Sequence, residues 1–439
     1  MTTLTRVYAF VLMFSALAYS FWYNLLGPVG TSILLLAMAA ITAALTPVWR
    51  SRLAGRTRSW RAQPWPLIAY AALGALSIVW SSWPLATAIT WVMMALFTAH
   101  GILFARAFTR EELLTTLERA LGAILVLSLA LEAWVALVLR HPILPNFSDA
   151  PEDPNPHWYW VRGNLFDDLL VGSRIQGIVG NANLLAVLCV LALIVFATRF
   201  ARRAPHTGAR VVLSVLALWL CVRSGSAAMF LTLAAVGAAA LIVLLFRRFT
   251  GRRARTTLYA AAITIVVAVV AGLLIAKDSL LALLGRSSDI TGRTEIWAKV
   301  LERAVDSPLI GHGFASPWLP WDSAFDGWIM DHGITVFHSH NMWIDGFLQL
   351  GALGILLLIT IYATTLWRSW RLAISADAAT RSMAPLLLVL VLLVQGLSES
   401  APLMFWGWML ISGLYTFVMP CAAEEETVAA DQLGSGSSR

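Results

Sequence analysis

Residues 177–198 read GIVGNANLLAVLCVLALIVFAT, and no charged side chain interrupts this stretch before Arg199. Crossing the hydrocarbon core of a bilayer takes about 20 mainly apolar residues in a helix. The stretch therefore predicts a membrane-spanning helix. The polar segment from Arg174 to Asn183 lies at the point where this helix begins.

Eleven further apolar runs accompany this one. They cover 7–26, 29–49, 65–83, 85–105, 121–139, 211–222, 227–246, 258–276, 342–366, 383–398 and 402–419. Composition agrees, since 59% of the residues are hydrophobic and only 13% are charged, too few to cover the surface of a soluble domain. We predict an all-α polytopic membrane protein of about twelve transmembrane helices, with the first run kept as an uncleaved span.

Arginine and lysine placement predicts the orientation. If the chain crosses the membrane at every run, 21 of the 31 basic residues fall on the side of Arg6 and nine on the other, with Arg439 in the tail. Basic residues favour the cytoplasmic side, so both termini are predicted to be cytoplasmic and the net charge of +7 needs no nucleic-acid partner. The transmembrane domain is predicted over 1–422, followed by a flexible tail over 423–439.

Two long loops fall on the outer side, at about 141–176 and 277–341. The second contains an apolar stripe at helical spacing within Arg293 to Val305, which predicts an amphipathic helix on the membrane surface or across the mouth of the bundle. The stripe consists of Ile296, Trp297, Val300, Leu301 and Ala304.

Four polar segments of the outer side lie at predicted helix starts. They are Arg174 to Asn183, Arg223-Ser-Gly-Ser, Gly292-Arg293-Thr294 and His338-Ser-His340-Asn341. A helix N-terminus offers unpaired N–H groups and partial positive charge, and arginine can bind phosphate oxygens in bidentate fashion. Together they predict an outward-facing pyrophosphate site. An outer arginine taken alone more often extends to lipid headgroups, and a lone histidine more often has a structural role.

No sequence feature calls for a cofactor or metal. There is no Gly-rich nucleotide loop, no Asp-x-Asp near a span end, and the three cysteines lack metal-ligand spacing. We expect no cofactor and no metal ion, because arginines can neutralise a pyrophosphate without one.

The sequence His340-Asn341, nine residues, and then Gly351-Ala-Leu-Gly354 resembles the signature of the O-antigen ligases. Their superfamily includes O-antigen polymerases and O-linked oligosaccharyltransferases. The three arginine segments also resemble those of this family, over about 174–354. The resemblance implies a GT-C-like membrane glycosyltransferase of the bacterial inner membrane with a periplasmic site. It would move O-antigen polysaccharide from undecaprenyl pyrophosphate to the lipid A–core oligosaccharide, inverting the anomeric centre.

The resemblance also suggests roles. His340 would be the general base that takes the proton of the acceptor hydroxyl, with His338 as second choice or as a sugar contact. Arg174, Arg223 and Arg293 would stabilise the departing pyrophosphate. Asn341 would bind in the site by fixing the imidazole, or would cap the following helix.

Alternatives remain. An O-antigen polymerase would use the same chemistry with another lipid-linked glycan as acceptor, and an O-linked oligosaccharyltransferase would glycosylate protein. Outside this class, a transporter of lipid-linked glycans would also have about twelve spans, but transporters place their polar groups near the midplane.

Overall fold

The structure, a computed structural model, describes residues 2–54, 63–146, 154–163, 170, 174–275, 292–331, 333–375 and 383–419. These form an α-helical membrane protein with one small hairpin. The helices are α1 Thr3–Leu17, α2 Tyr19–Leu45, α3 Arg50–Ala54, α4 Trp65–Leu76, α5 Pro84–Ala107, α6 Arg110–Trp134, α7 Ala182–Ala201, α8 Thr207–Arg223, α9 Ala227–Arg248, α10 Arg252–Ile275, α11 Arg293–Ala304, α12 Met342–Ile374, α13 Ala384–Gln395 and α14 Phe405–Phe417. The predicted tail 423–439 and part of each long loop lie outside the described residues.

Helix α7 is the centre of the bundle. Its residues from Leu185 to Ala192 are all buried, because the helix is apolar on every side and neighbouring helices surround it. The main core cluster joins it to α1, α4 to α6, α8, α9 and α12 to α14. The stretch that first indicated a membrane helix is thus the innermost of the described helices.

Charged groups gather in two layers at opposite ends of α6. At its start, Glu112 pairs with Arg52 at 2.9 Å and Glu118 pairs with Arg199 at 2.9 Å. Near its end, Glu132 accepts hydrogen bonds from the polar segment before α7. At 1.5 Å per residue, Glu112 and Glu132 lie about 30 Å apart along the helix, which is the thickness of a bilayer's hydrocarbon core.

The predicted first span is wrong as a continuous helix. The backbone leaves the helix at Ala18, inside the predicted run 7–26. A second interruption, at Gly27 with φ 69° before Pro28, falls at the predicted boundary between the runs 7–26 and 29–49. Among the described helices, six are long and apolar enough to cross a membrane, and three shorter apolar helices accompany them. The structure therefore supports a multi-pass helical protein without fixing the number of spans at twelve.

The described part of the second long loop forms a small aromatic unit. Helix α11 covers the predicted amphipathic stretch and buries Ile296, Val300 and Ala304, whereas Leu301 of the predicted stripe is 39% exposed. Strands β1 Met330–Asp331 and β2 Ile334–Thr335 pair antiparallel beside it. The helix packs on a cluster that includes Trp318, Phe325 and Val336 rather than lying free on a surface.

This unit is joined to α12 through backbone hydrogen bonds at a break in the helix. Gly351 has φ 59° inside α12, and a Cβ there would lie 2.4 Å from the carbonyl carbon of Leu309. The freed backbone groups pair with the loop: Ala352 N–H donates to Pro308 O at 2.8 Å and His312 N–H donates to Leu348 O at 2.9 Å. The first glycine of the Gly-x-x-Gly pattern is therefore required by a close backbone approach.

Candidate functional site

The candidate site centres on Glu399, in the short connection between α13 and α14. Its Oε1 accepts hydrogen bonds from Arg293 Nη2 at 3.0 Å and from Asn183 Nδ2 at 2.9 Å. Its Oε2 accepts from His340 Nδ1 at 3.1 Å. One carboxylate thus connects the starts of α7, α11 and α12, which are far apart in sequence.

Arg174 joins this network through Asn183. Its Nη2 donates to Asn183 Oδ1 at 2.6 Å, and its Nε donates to Ser224 O at 2.7 Å. The side chain lies over Gly225, where a Cβ would be 3.3 Å from Arg174 Cγ and where φ is 59°. The segment that starts with Arg223 therefore supplies a carbonyl oxygen and an open surface on which the Arg174 side chain rests.

Arg223 lies beside the network through its main chain. It ends α8, and its carbonyl oxygen accepts from Ile175 N–H at 3.1 Å, so the two arginine segments run next to each other. Its side chain is half-buried. The structure thus brings the segments of Arg174, Arg223, Arg293 and His340 to one region.

The segment before α7 is supported from inside the membrane. Glu132 Oε1 accepts from the N–H groups of Gln176 at 2.9 Å and Gly177 at 2.7 Å, and Ser128 Oγ accepts from Ile178 N–H at 3.2 Å. A buried carboxylate is stable in such a place only when hydrogen-bonded. Glu132 therefore has a positioning role for the Arg174 segment.

The two histidines touch each other but make different hydrogen bonds. Their ring centroids are 4.2 Å apart, and the backbone N–H of His340 donates to His338 Nδ1 at 3.1 Å. His338 Nδ1 must therefore be unprotonated, and in the neutral ring Nε2 carries the hydrogen. His340 has the other arrangement: its Nδ1 must carry a hydrogen to donate to Glu399, so in the neutral ring its Nε2 has the free electron pair.

Electrostatics sets the protonation states of His338 and Glu399. Removal from water lowers the pKa of His338 to about 3, with His340 and Arg293 lowering it and Glu399 raising it. Burial alone would raise the pKa of Glu399, but His340 and Arg293 outweigh burial and hold that pKa below its ordinary value. At neutral pH, His338 is uncharged and Glu399 is ionised.

Asn341 serves as a helix cap. Its Oδ1 accepts from Trp343 N–H at 2.9 Å and Ile344 N–H at 3.2 Å, and its Nδ2 donates to Leu397 O at 3.2 Å. Asn181 caps α7 in the same way. Asn341 and Asn181 thus bind backbone amide groups that were expected to be unpaired, and for these amides the expectation is wrong. The positive charge in the site therefore comes mainly from guanidinium groups.

His338, His340 and Glu399 also have the donor types of a metal site. One ligand atom of each lies within 4.8 Å of the others. However, Arg293 already places a positive charge 3.0 Å from Glu399 Oε1, where a divalent cation would be repelled. The residues present therefore suit an anion better than a metal ion.

Glu399 and Asn183 are the functional candidates that sequence reasoning missed. Asn183 was part of a predicted segment, but only its distance to Arg174 and Glu399 reveals a contact role. Glu399 stands alone between apolar runs at 383–398 and 402–419. An acidic residue in so short a connection between apolar runs is a signal of function that could have been used.

Comparison with known proteins agrees with the resemblance described above. A family model described as O-antigen ligase matches residues 212–359, about a third of the chain, including Arg223, Arg293 and His340. A stretch of 114 residues is 29% identical to the exopolysaccharide production protein ExoQ of Rhizobium meliloti (strain 1021), covering 24% of this chain and only 25% of that protein. The predicted resemblance to the O-antigen ligase family is confirmed over this part of the chain.

Proposed function

We propose that this protein is a metal-independent inverting glycosyltransferase that moves O-antigen polysaccharide from undecaprenyl pyrophosphate to the lipid A–core oligosaccharide. One observation carries the proposal: a single carboxylate, Glu399, holds an imidazole and a guanidinium and reaches a second guanidinium through Asn183. Base and cations are the two groups that transfer from a pyrophosphate to a hydroxyl requires.

His340 is the proposed base because of its tautomer. Glu399 accepts its Nδ1 hydrogen, which leaves Nε2 free to take the proton of the acceptor hydroxyl. The hydroxyl oxygen then forms a bond to the anomeric carbon as the bond from that carbon to the pyrophosphate oxygen breaks. The proton remains on His340, and Glu399 stabilises the imidazolium. His338 presents an Nε2 hydrogen, so it serves as a donor to a sugar oxygen and not as the base.

The arginines stabilise the leaving group. Arg174, Arg223 and Arg293 lie in adjoining segments, and pyrophosphate gains charge on its oxygens as the glycosyl bond breaks. Fixed donors near a growing charge contribute about 3–4 kcal/mol each to lowering a barrier. These arginines supply the positive charge that a metal ion supplies in other transferases of phosphorylated donors.

We infer the topology from the same geometry. The shorter helices complete a GT-C-like arrangement of about twelve spans within 1–422, in the bacterial inner membrane, with 277–341 and the site on the periplasmic side. The separation of charged layers along α6 supports this. A cysteine introduced as Ser323→Cys should react with an impermeant maleimide added to the periplasm, whereas Thr207→Cys should not. Labelling of Thr207→Cys but not of Ser323→Cys would show that the topology is the opposite of the one proposed.

The name of the relative favours a second candidate. The relative is named for exopolysaccharide production, and a polymerase, whose acceptor is another lipid-linked glycan, would fit that name. The chemistry at Glu399 and His340 would be unchanged. Only the acceptor distinguishes the two functions.

The decisive experiment offers both acceptors to the purified protein. Undecaprenyl-pyrophosphate glycan is incubated with rough lipopolysaccharide or with a second lipid-linked glycan, without ATP and with a chelator. Product on lipopolysaccharide supports the ligase, and lengthened lipid-linked glycan supports the polymerase. His340→Ala should remove the product, whereas the exposed outer His141→Ala should not. Loss of product on chelation, or no transfer to either acceptor, would contradict the proposal.

A further inference from the structure

A cavity lies beside Glu399. Its volume is about 280 Å³, and it is lined by the start of α2, by α5, by the loop around Trp321 and by the connection that holds Glu399. His338 and Asn183 also face it, whereas none of the described residues of the lining is an arginine or a lysine. Because the lining presents a carboxylate and no cationic side chain, it disfavours a diphosphate and suits an uncharged ligand.

The lining contains aromatic surfaces of the kind that sugar rings pack against. Tyr19 stacks on Phe405 with ring centroids 3.6 Å apart, and the Phe405 backbone holds φ 39°, a conformation that costs energy for a non-glycine residue. Trp321 is 59% exposed, although it belongs to the same lining. An exposed tryptophan at the mouth of a cavity is available to a ligand.

Two buried polar atoms of the lining have no hydrogen-bond partner among the residues that the structure describes. They are Gln395 Oε1, an acceptor, and Trp318 Nε1, a donor, in side chains that are 1% exposed. Buried polar groups in proteins are almost always hydrogen-bonded, so each unpaired one requires an explanation. A hydroxyl group can both donate and accept, and a ligand with several hydroxyls would satisfy both atoms.

We propose that this cavity binds the terminal sugar of the acceptor glycan, with Trp321 stacking on its ring and Gln395 accepting from a hydroxyl. The proposal rests on the proposed function, because it assigns the uncharged reactant to this cavity and the pyrophosphate to the arginine side of Glu399. His338, which lines the cavity, then donates Nε2–H to a sugar oxygen. The acceptor hydroxyl then meets the base, His340, beside Glu399, between the cavity and the arginines.

Binding can be measured without any transfer reaction. Two lipid-free oligosaccharides, the core oligosaccharide and an O-antigen repeat unit, are added separately to the purified protein and followed by saturation-transfer NMR and equilibrium dialysis. At least one should bind. Trp321→Ala should weaken that binding about tenfold, whereas Trp367→Ala, which removes a tryptophan that is 61% exposed on α12, should leave it unchanged.

Gln395→Leu distinguishes a binding role from a structural one. Because it removes an unpaired buried acceptor, it should leave the melting temperature unchanged or raise it, while weakening oligosaccharide binding several-fold. Inorganic pyrophosphate should not displace the bound oligosaccharide. Failure of both oligosaccharides to bind, binding that survives Trp321→Ala and Gln395→Leu, or displacement by pyrophosphate would each overturn the assignment. Transfer activity that persists alongside such a result would leave the proposed function standing.

Discussion

Replacing Glu399 with glutamine tests the central contact of the site. The glutamine oxygen must take the position of Oε1, where Arg293 and Asn183 both donate. Its NH₂ group then faces His340 Nδ1, which can no longer donate there. The imidazole is driven to the other tautomer, its Nε2 becomes protonated, and the base is lost. The comparable loss in a triad of a serine protease is about 10⁴ in kcat, and we expect 10³–10⁴ here.

Glu399→Asp should cost less than the glutamine variant. It keeps the charge and the tautomer but withdraws the carboxylate by one methylene group, and displacement of about 1 Å at a catalytic group costs roughly 10²-fold in rate.

Single-turnover transfer of a fluorescent lipid-linked glycan measures both variants, with thermal unfolding to show that each is folded. Glu302→Gln is the matched control, because Glu302 is exposed on α11. Glu399→Gln within tenfold of the wild-type rate would refute the tautomer argument. An aspartate variant slower than the glutamine variant would refute it as well.

Three further predictions concern stability. Glu132→Ala leaves two amide groups without their acceptor and should lower the free energy of unfolding by about 1–3 kcal/mol, with Glu132→Gln losing less; wild-type stability in both would contradict this. His338 has a folded-state pKa of about 3 against an ordinary 6.5, so the unfolded chain binds the proton first and stability should fall as pH drops from 6.5 toward 3. His338→Asn should show a shallower pH slope in thermal unfolding, and an equal slope would contradict it. Gly351→Ala should destabilise by at least 1–3 kcal/mol, whereas Gly237→Ala, with open space around it, should not; equal melting temperatures would be the contrary result.

The helices were predictable because a helix that crosses a membrane requires a long run of apolar residues. The break at Ala18 was not predictable, because an apolar run continues across it and only packing shows where the chain bends. The break at Gly27 falls in the gap between the predicted runs 7–26 and 29–49. The amphipathic helix at Arg293 was found from its spacing, but its partner surface of aromatic residues from the same loop was not.

The candidate site was predictable only in part. The sequence indicated which polar segments form the site, since each precedes a helix that was predicted to begin on the outer side. It left His338 and His340 as alternatives, because a tautomer depends on which atoms face each nitrogen. Glu399 comes from a connection 59 residues after His340 in the chain, and no spacing rule joins the two.

Near the break at Gly351, α12 passes from a part that is bonded to the loop to a part that runs along the bundle. Residues on both sides of it are fastened to the loop by backbone hydrogen bonds, Leu348 and Gln349 to His312 and Gly313, and Ala352 and Leu353 to Pro308 and Leu309. Beyond Leu353 the helix continues along the bundle. A bilayer that is thinner or thicker makes a long helix tilt, and the tilt is set where the helix meets lipid. We expect the part of α12 beyond Leu353 to adjust in this way while the part around Gly351 stays fixed to the loop. The distances around His340 should then change little with lipid chain length.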